Sequence, residues 1–124
     1  MHLRLLLLVL LLLPAGAAQA QINPFKGNRG APKLADSDLT LLEQAGRKLL
    51  GDTAPAAGTV ETWQNEATGA AGTVTYVGPV SRTVQGTKYA CRRVKYAVLL
   101  KDRPTPRTTR AAWCRLPDGT WKLN

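Results

Sequence analysis

The chain has 124 residues, and the first twenty read as a leader, which leaves 104 for one small domain and not for two. It carries 17 Lys+Arg against 8 Asp+Glu, a formal charge of +9, of which the leader holds only Arg4. The leader also holds Met1 and His2, so residues 21–124 contain neither histidine nor methionine. That excludes histidine-based triads and the usual zinc sites.

Residues 1–20 have the grammar of a secretory signal peptide. A short positive start, Met1-His2-Leu3-Arg4, precedes an unbroken run of Leu and one Val over residues 5–13. Pro14 and Gly16 break the run, and Ala18-Gln19-Ala20 is the small-x-small pattern of a cleavage site. Cleavage is expected between Ala20 and Gln21. The apolar run is too short to span a bilayer, which takes roughly 20 residues. No cysteine stands near the cleavage site to take a lipid, and no later segment is apolar enough to cross a membrane. The expected product is an exported protein of the periplasm, with association at the outer membrane as the further alternative and no transmembrane span in the mature chain.

Residues 21–35 are rich in Gly, Pro and Asn, show no period, and predict a flexible N-terminal arm. The domain proper is expected over 36–124. Residues 37–50 carry the helical stripe Leu39, Leu42, Gly46 and Leu49, widened by Leu41, Ala45 and Leu50. Ser37 or Asp36 is the expected cap, with Gly51 as the stop. From Thr59 the pattern changes to short strands near 59–64, 73–77, 80–85, 88–100, 107–115 and 120–123. Gly69…Gly72, Gly78-Pro79, Gly86-Thr87, Asp102-Arg103-Pro104 and Pro117-Asp118-Gly119 are the turn signals between them. Short connections predict antiparallel neighbours. The expected class is α+β: one N-terminal amphipathic helix packed on a curved antiparallel sheet of about five strands.

Two cysteines, Cys91 and Cys114, make an even count in an exported chain, which predicts a disulfide. Their spacing is far from C-x-x-C. If 88–100 and 107–115 form a hairpin turning at Asp102-Arg103, residues whose numbers sum to 205 face each other, and the two cysteines meet that condition. Strict alternation turns Cys91 away from Val94 and Tyr96, which a bulge near Arg92 would reconcile.

The charge is one-sided. Residues 21–87 balance six basic against six acidic residues, whereas residues 88–124 hold ten basic residues opposed only by Asp102 and Asp118. The candidate anion-binding set is Arg92, Arg93, Lys95, Arg107 and Arg110, on the face of the expected C-terminal hairpin. The partners it suggests are anionic lipid, lipopolysaccharide or wall polymer; nucleic acid is out of place outside the cytoplasm. The competing reading is a solvated face that keeps a small protein soluble or guards strand edges.

Trp63-Gln64-Asn65-Glu66-Ala67-Thr68-Gly69-Ala70-Ala71-Gly72-Thr73-Val74 resembles the W-x-N-x-x-[ST]-G-x-x-G-x-V segment of the bacterial 17 kDa surface antigen family. Cys91-Arg92 with its long strand continues the likeness. Trp113-Cys114-Arg115-Leu116-Pro117-Asp118-Gly119-Thr120-Trp121-Lys122 resembles that family's closing C-R-x-x-D-G-x-W. The resemblance spans about residues 37–124. It implies an exported, envelope-associated domain with no established enzymatic activity, hence no catalytic residues to carry over. The chain departs from the pattern in lacking a lipobox cysteine and a glycine-rich hydrophobic hairpin, and in having Glu66 where proline is frequent.

Read without the family, Asn65 and Gly69 suit a turn and Gly72 a bulge or a close backbone approach. Trp63, Trp113 and Trp121 are core bulk; Trp63 and Trp121 as an exposed stacking platform for a sugar is the alternative. The one enzymatic alternative with ordinary residues is a carboxylate pair, Glu61 and Glu66, which sits at a strand end and a turn. No catalytic residues, metal ligands or cofactors are expected. The function that follows is a non-enzymatic structural or interaction module of the cell envelope, with an envelope protein as the partner; binding of an anionic envelope polymer or lipid is the alternative.

Overall fold

A computed structural model describes residues 21–124. The expected signal segment, 1–20, lies outside the described residues. One helix, α1 (Asp36–Arg47), is followed by five strands: β1 (Val60–Gln64), β2 (Ala71–Val84), β3 (Thr87–Leu99), β4 (Arg107–Arg115) and β5 (Trp121–Leu123). The strands form one antiparallel meander in the order β1-β2-β3-β4-β5, curled around the helix. The expected α+β class is the observed one. The helix stands behind residues 21–35 rather than at the start of the described chain.

The helix cap falls one residue before Asp36 and two before Ser37, the two expected caps. Ala35 is the N-cap, and its N–H donates to Asp38 Oδ2 at 2.9 Å, so the third helical residue supplies the capping carboxylate. The helix also ends early. Leu49 N–H donates to Gly46 O and Leu50 N–H to Arg47 O, each at 3.0 Å, so the last turn tightens to i→i+3 bonds. Leu49 and Leu50 stay buried in that tightened turn.

Two expected strands, 73–77 and 80–85, are one. β2 runs through Gly78-Pro79 with a register shift between Tyr76 and Gly78, so Val77 is a bulge rather than part of a turn. Proline is tolerated there because β1 pairs with β2 only as far as Thr75, leaving that side of β2 without a partner strand. The chain reverses instead at Gln85-Gly86, both with positive φ (49° and 79°), the conformation of a two-residue hairpin matched to strand twist. No bulge forms at Arg92. The β3–β4 register runs unbroken from Cys91↔Cys114 to Val98↔Arg107.

The sheet's inner face and the helix enclose the core. Trp63, Val74, Tyr76, Val94, Tyr96, Val98 and Trp113 pack there with Leu42, Ala45, Leu49 and Leu50. Trp113 Nε1–H donates to Tyr96 Oη at 2.7 Å, satisfying two buried polar groups at once. Burial pushes the Tyr96 phenol up to about 12. Phe25 joins the same cluster at 1% exposure, so the segment expected to be a flexible arm carries a core residue. The Cys91–Cys114 disulfide forms on the opposite, outer face, in a small cluster with Ala112, Val80 and Tyr89.

Candidate anion-binding site

Strand alternation divides the five basic residues that the sequence grouped together. Residues paired across a sheet share a face, and the face alternates along each strand. Arg92 therefore lies with Val94, Tyr96 and Trp113 on the inner side, not on an outer basic face. It is 8% exposed, its Nη1 donates to Leu49 O at 2.9 Å, and its guanidinium lies 4.6 Å from the centre of the Trp121 ring. Arg92 thus ties β3 to the carbonyl end of the helix, where a cation is favoured, and uses an indole face in place of a carboxylate. Its place in the candidate set is corrected: it is a structural residue. Arg115 reaches the other contact of that ring, 5.7 Å from the centre.

Arg93, Lys95 and Arg110 do share the outer face. Lys95 stands directly opposite Arg110, and Arg93 opposite Ala112. The outer rows continue as Val60–Thr75–Lys95–Arg110 and Thr62–Thr73–Ala97–Thr108. No carboxylate falls on these rows. The two salt bridges among the described residues, Arg47–Glu43 and Arg115–Asp52, use other cations. Arg107 pairs with Val98 and lies at the far end of β4, apart from this trio.

Next to the Lys95–Arg110 row lies a shallow groove of about 530 Å³, walled by Thr62, Gln64, Thr73, Ala97, Leu99 and Pro106. Leu99 is 43% exposed and Val60 49%. The outer face therefore offers an apolar strip bordered by uncompensated positive charge. The sequence signalled the cations; the groove needed the register of three strands and the approach of Pro106.

The Trp63–Val74 motif is consumed by structure. Asn65 Nδ2 donates to Asp38 Oδ1 (2.7 Å) and Ser37 Oγ (2.9 Å), and Thr68 Oγ1 donates to the same Asp38 oxygen at 2.6 Å. Gly69, at φ 76°, returns its N–H to Asn65 O at 2.8 Å. The β1–β2 turn thereby clasps the first turn of the helix around a carboxylate that is only 2% exposed. Burial alone would raise the pKa of Asp38; the bonds from Thr68, the Ala35 N–H and Asn65 outweigh it and hold the group below its ordinary value. Asp38 thus stabilises the fold fully above the unfolded carboxylate pKa, and the contribution is lost as pH falls through the lower folded value. Asp38→Ala is expected to cost about 2–3 kcal/mol near neutrality, since three donors lose a charged acceptor. In denaturant titrations the gap to the native chain should narrow toward pH 3. A gap constant with pH would show that the clasp does not depend on the carboxylate charge.

The other motif end is equally occupied. Asp118 Oδ1 accepts from Thr120 N (3.0 Å) and Thr120 Oγ1 (2.7 Å), closing the β4–β5 turn and lowering the Asp118 pKa through those bonds. Trp63 and Trp113 are buried, and Trp121 is half-buried beneath Arg92, so Trp63 and Trp121 do not form an exposed sugar platform. Glu66 is exposed in the β1–β2 turn, while Glu61 pairs with Val74 on the inner row. No helix among the described residues is long and apolar enough to cross a membrane. Compared with family models, curated proteins and solved structures, the chain matches none.

Proposed function

We propose that this chain is an exported, non-enzymatic module of the bacterial cell envelope, of the kind the surface-antigen resemblance suggests. In this reading it works in the periplasm or at the outer membrane and docks on anionic lipid or lipopolysaccharide through its outer sheet face. The observation that carries the docking surface is the Arg93–Lys95–Arg110 trio, on rows free of carboxylates, with Lys95 and Arg110 one row from an exposed apolar groove. Cations beside exposed Leu and Val suit an interface that offers phosphates and acyl chains together, and a wall polymer offers only the first. The leader and the disulfide support export.

The test is co-sedimentation with anionic and neutral vesicles at low and high salt. Binding to anionic vesicles that fades with salt is expected. Arg93→Glu with Lys95→Glu should abolish it, since each basic residue at an anionic surface contributes about 1 kcal/mol and reversal also adds repulsion. Retention indifferent to that double change would sink the lipid reading and favour the second one, a protein partner in the envelope.

A further inference from the structure

The segment before the helix builds a second basic site at the opposite end of β4. Phe25 anchors it in the core, and Asn28 Nδ2 donates to Thr109 Oγ1 on β4 at 2.8 Å. Between those anchors and the helix the segment carries Arg29 and Lys33 across the end of the sheet. There they meet the β3–β4 connection, which carries Lys101 and Arg103, and the first residue of β4, Arg107. Arg107 Nη1 lies 3.8 Å from where a side chain on Gly30 would begin.

Three hollows mark the meeting place. One of about 220 Å³ is walled by Asn28, Arg29, Gly30, Arg107 and Thr108 among others. A second, of about 350 Å³, is walled by Arg103, Pro104, Thr105 and Arg107. A third, of about 280 Å³, takes in Lys33, Lys101, Asp102 and Arg103. Arg107 walls the first two and Arg103 the last two, so the three hollows lie side by side along a basin edged by these arginines. No carboxylate lines the first two hollows. Asp38 and Asp102 reach only the third, and Asp38 is committed to its clasp. Among the described residues none of these five cations is in a salt bridge.

We propose that the basin of Arg29, Arg103 and Arg107 binds a phosphate group, as a phosphate monoester or a diphosphate. Two stretches far apart in sequence, the Phe25-anchored segment and the β3–β4 connection with the start of β4, bring like charges to one place, and a bound polyanion relieves the repulsion among them. Guanidinium forks match phosphate oxygens in pairs, and Thr105 and Thr108 add hydroxyl donors at the rim. Hollows of about 220 and 350 Å³ have room for a single charged head. Lys33 and Lys101 flank the site and steer the ligand. The outer-face trio takes no part.

The test is calorimetric titration of inorganic pyrophosphate, at low salt, into protein isolated from cells expressing the full chain. Native protein is expected to bind. Arg29→Ala with Arg107→Ala should weaken binding about tenfold or more, as loss of charge-assisted bonds implies. Arg82→Ala with Lys88→Ala removes the same charge from the distant end of the β2–β3 hairpin and should leave it unchanged. Circular dichroism checks that both variants remain folded, which the exposure of all four side chains favours. Absence of binding by the native protein overturns the proposal, as does an equal loss in the two variants, which would make the effect one of net charge. A parallel arm with phosphatidic acid vesicles separates the sources. Loss of vesicle binding in the Arg29/Arg107 variant points to a lipid-borne phosphate, and unchanged vesicle binding beside lost pyrophosphate binding points to a soluble one.

Discussion

Gly72→Ala is expected to destabilise the fold by about 3 kcal/mol, at the upper end of what overpacking does. A Cβ at this position would lie 2.5 Å from Trp63 Nε1 and 2.6 Å from Ala97 O. The first contact is with a buried indole, the second with backbone of the neighbouring strand. A flexible side chain could swing aside; a carbonyl in the β2–β3 ladder moves only with the strand. The residue has no positive φ, so the demand for glycine is steric and not conformational. Trp63 lies so close that its Nε1 is buried without a hydrogen-bond partner among the described residues. For a domain of this size the melting midpoint should fall by roughly 15 °C. A fall of only a few degrees would mean that the indole tilts freely and that the close approach is not a determinant of the fold.

Removing the disulfide is the second large effect. Cys91 and Cys114 are 23 residues apart, and releasing a loop of that length is expected to lose about 3 kcal/mol through the unfolded chain. The location of the bridge decides what else changes. It lies on the outer face with Ala112, Val80 and Tyr89, away from the Trp113–Tyr96 pair. Cys91→Ala with Cys114→Ala should therefore lower the denaturation midpoint while leaving the near-ultraviolet signal of the tryptophans intact below the transition. A change in that signal in the folded baseline would show that the bridge also positions the core. Net stabilities of small domains are about 5–15 kcal/mol, so either change removes a large part of the margin.

The sequence exposed what was periodic or paired. The β3–β4 register followed from the positions of two cysteines and one turn, and it holds through all eight residue pairs. The helical stripe was legible because its apolar spacing spans several turns. Phe25 was not, because a lone aromatic among Gly, Pro and Asn has no period, and it is buried in a core built by residues far along the chain. Gly78-Pro79 has turn chemistry, but a free strand edge absorbs it as a bulge. Arg92 looked like one more surface cation because charge alone does not say which way a strand residue points. Alternation from Val94 and Tyr96 would have placed it inward had the disulfide been allowed a face of its own. The Asp38 clasp was hidden for a related reason: Asn65 and Thr68 read as turn residues, and nothing local shows that their side chains grip a helix some thirty residues earlier.

The anchoring of Phe25 has a consequence for how the molecule is made. The Asn28–Thr109 bond joins positions 81 residues apart, so the first described segment closes on β4, the fourth of the five strands. A polypeptide emerging from a ribosome or a translocation pore lacks that Thr109 anchor until β4 arrives. A chain stalled before β4 leaves one flank of β3 unpaired, and such transiently unpaired strand edges are aggregation-prone.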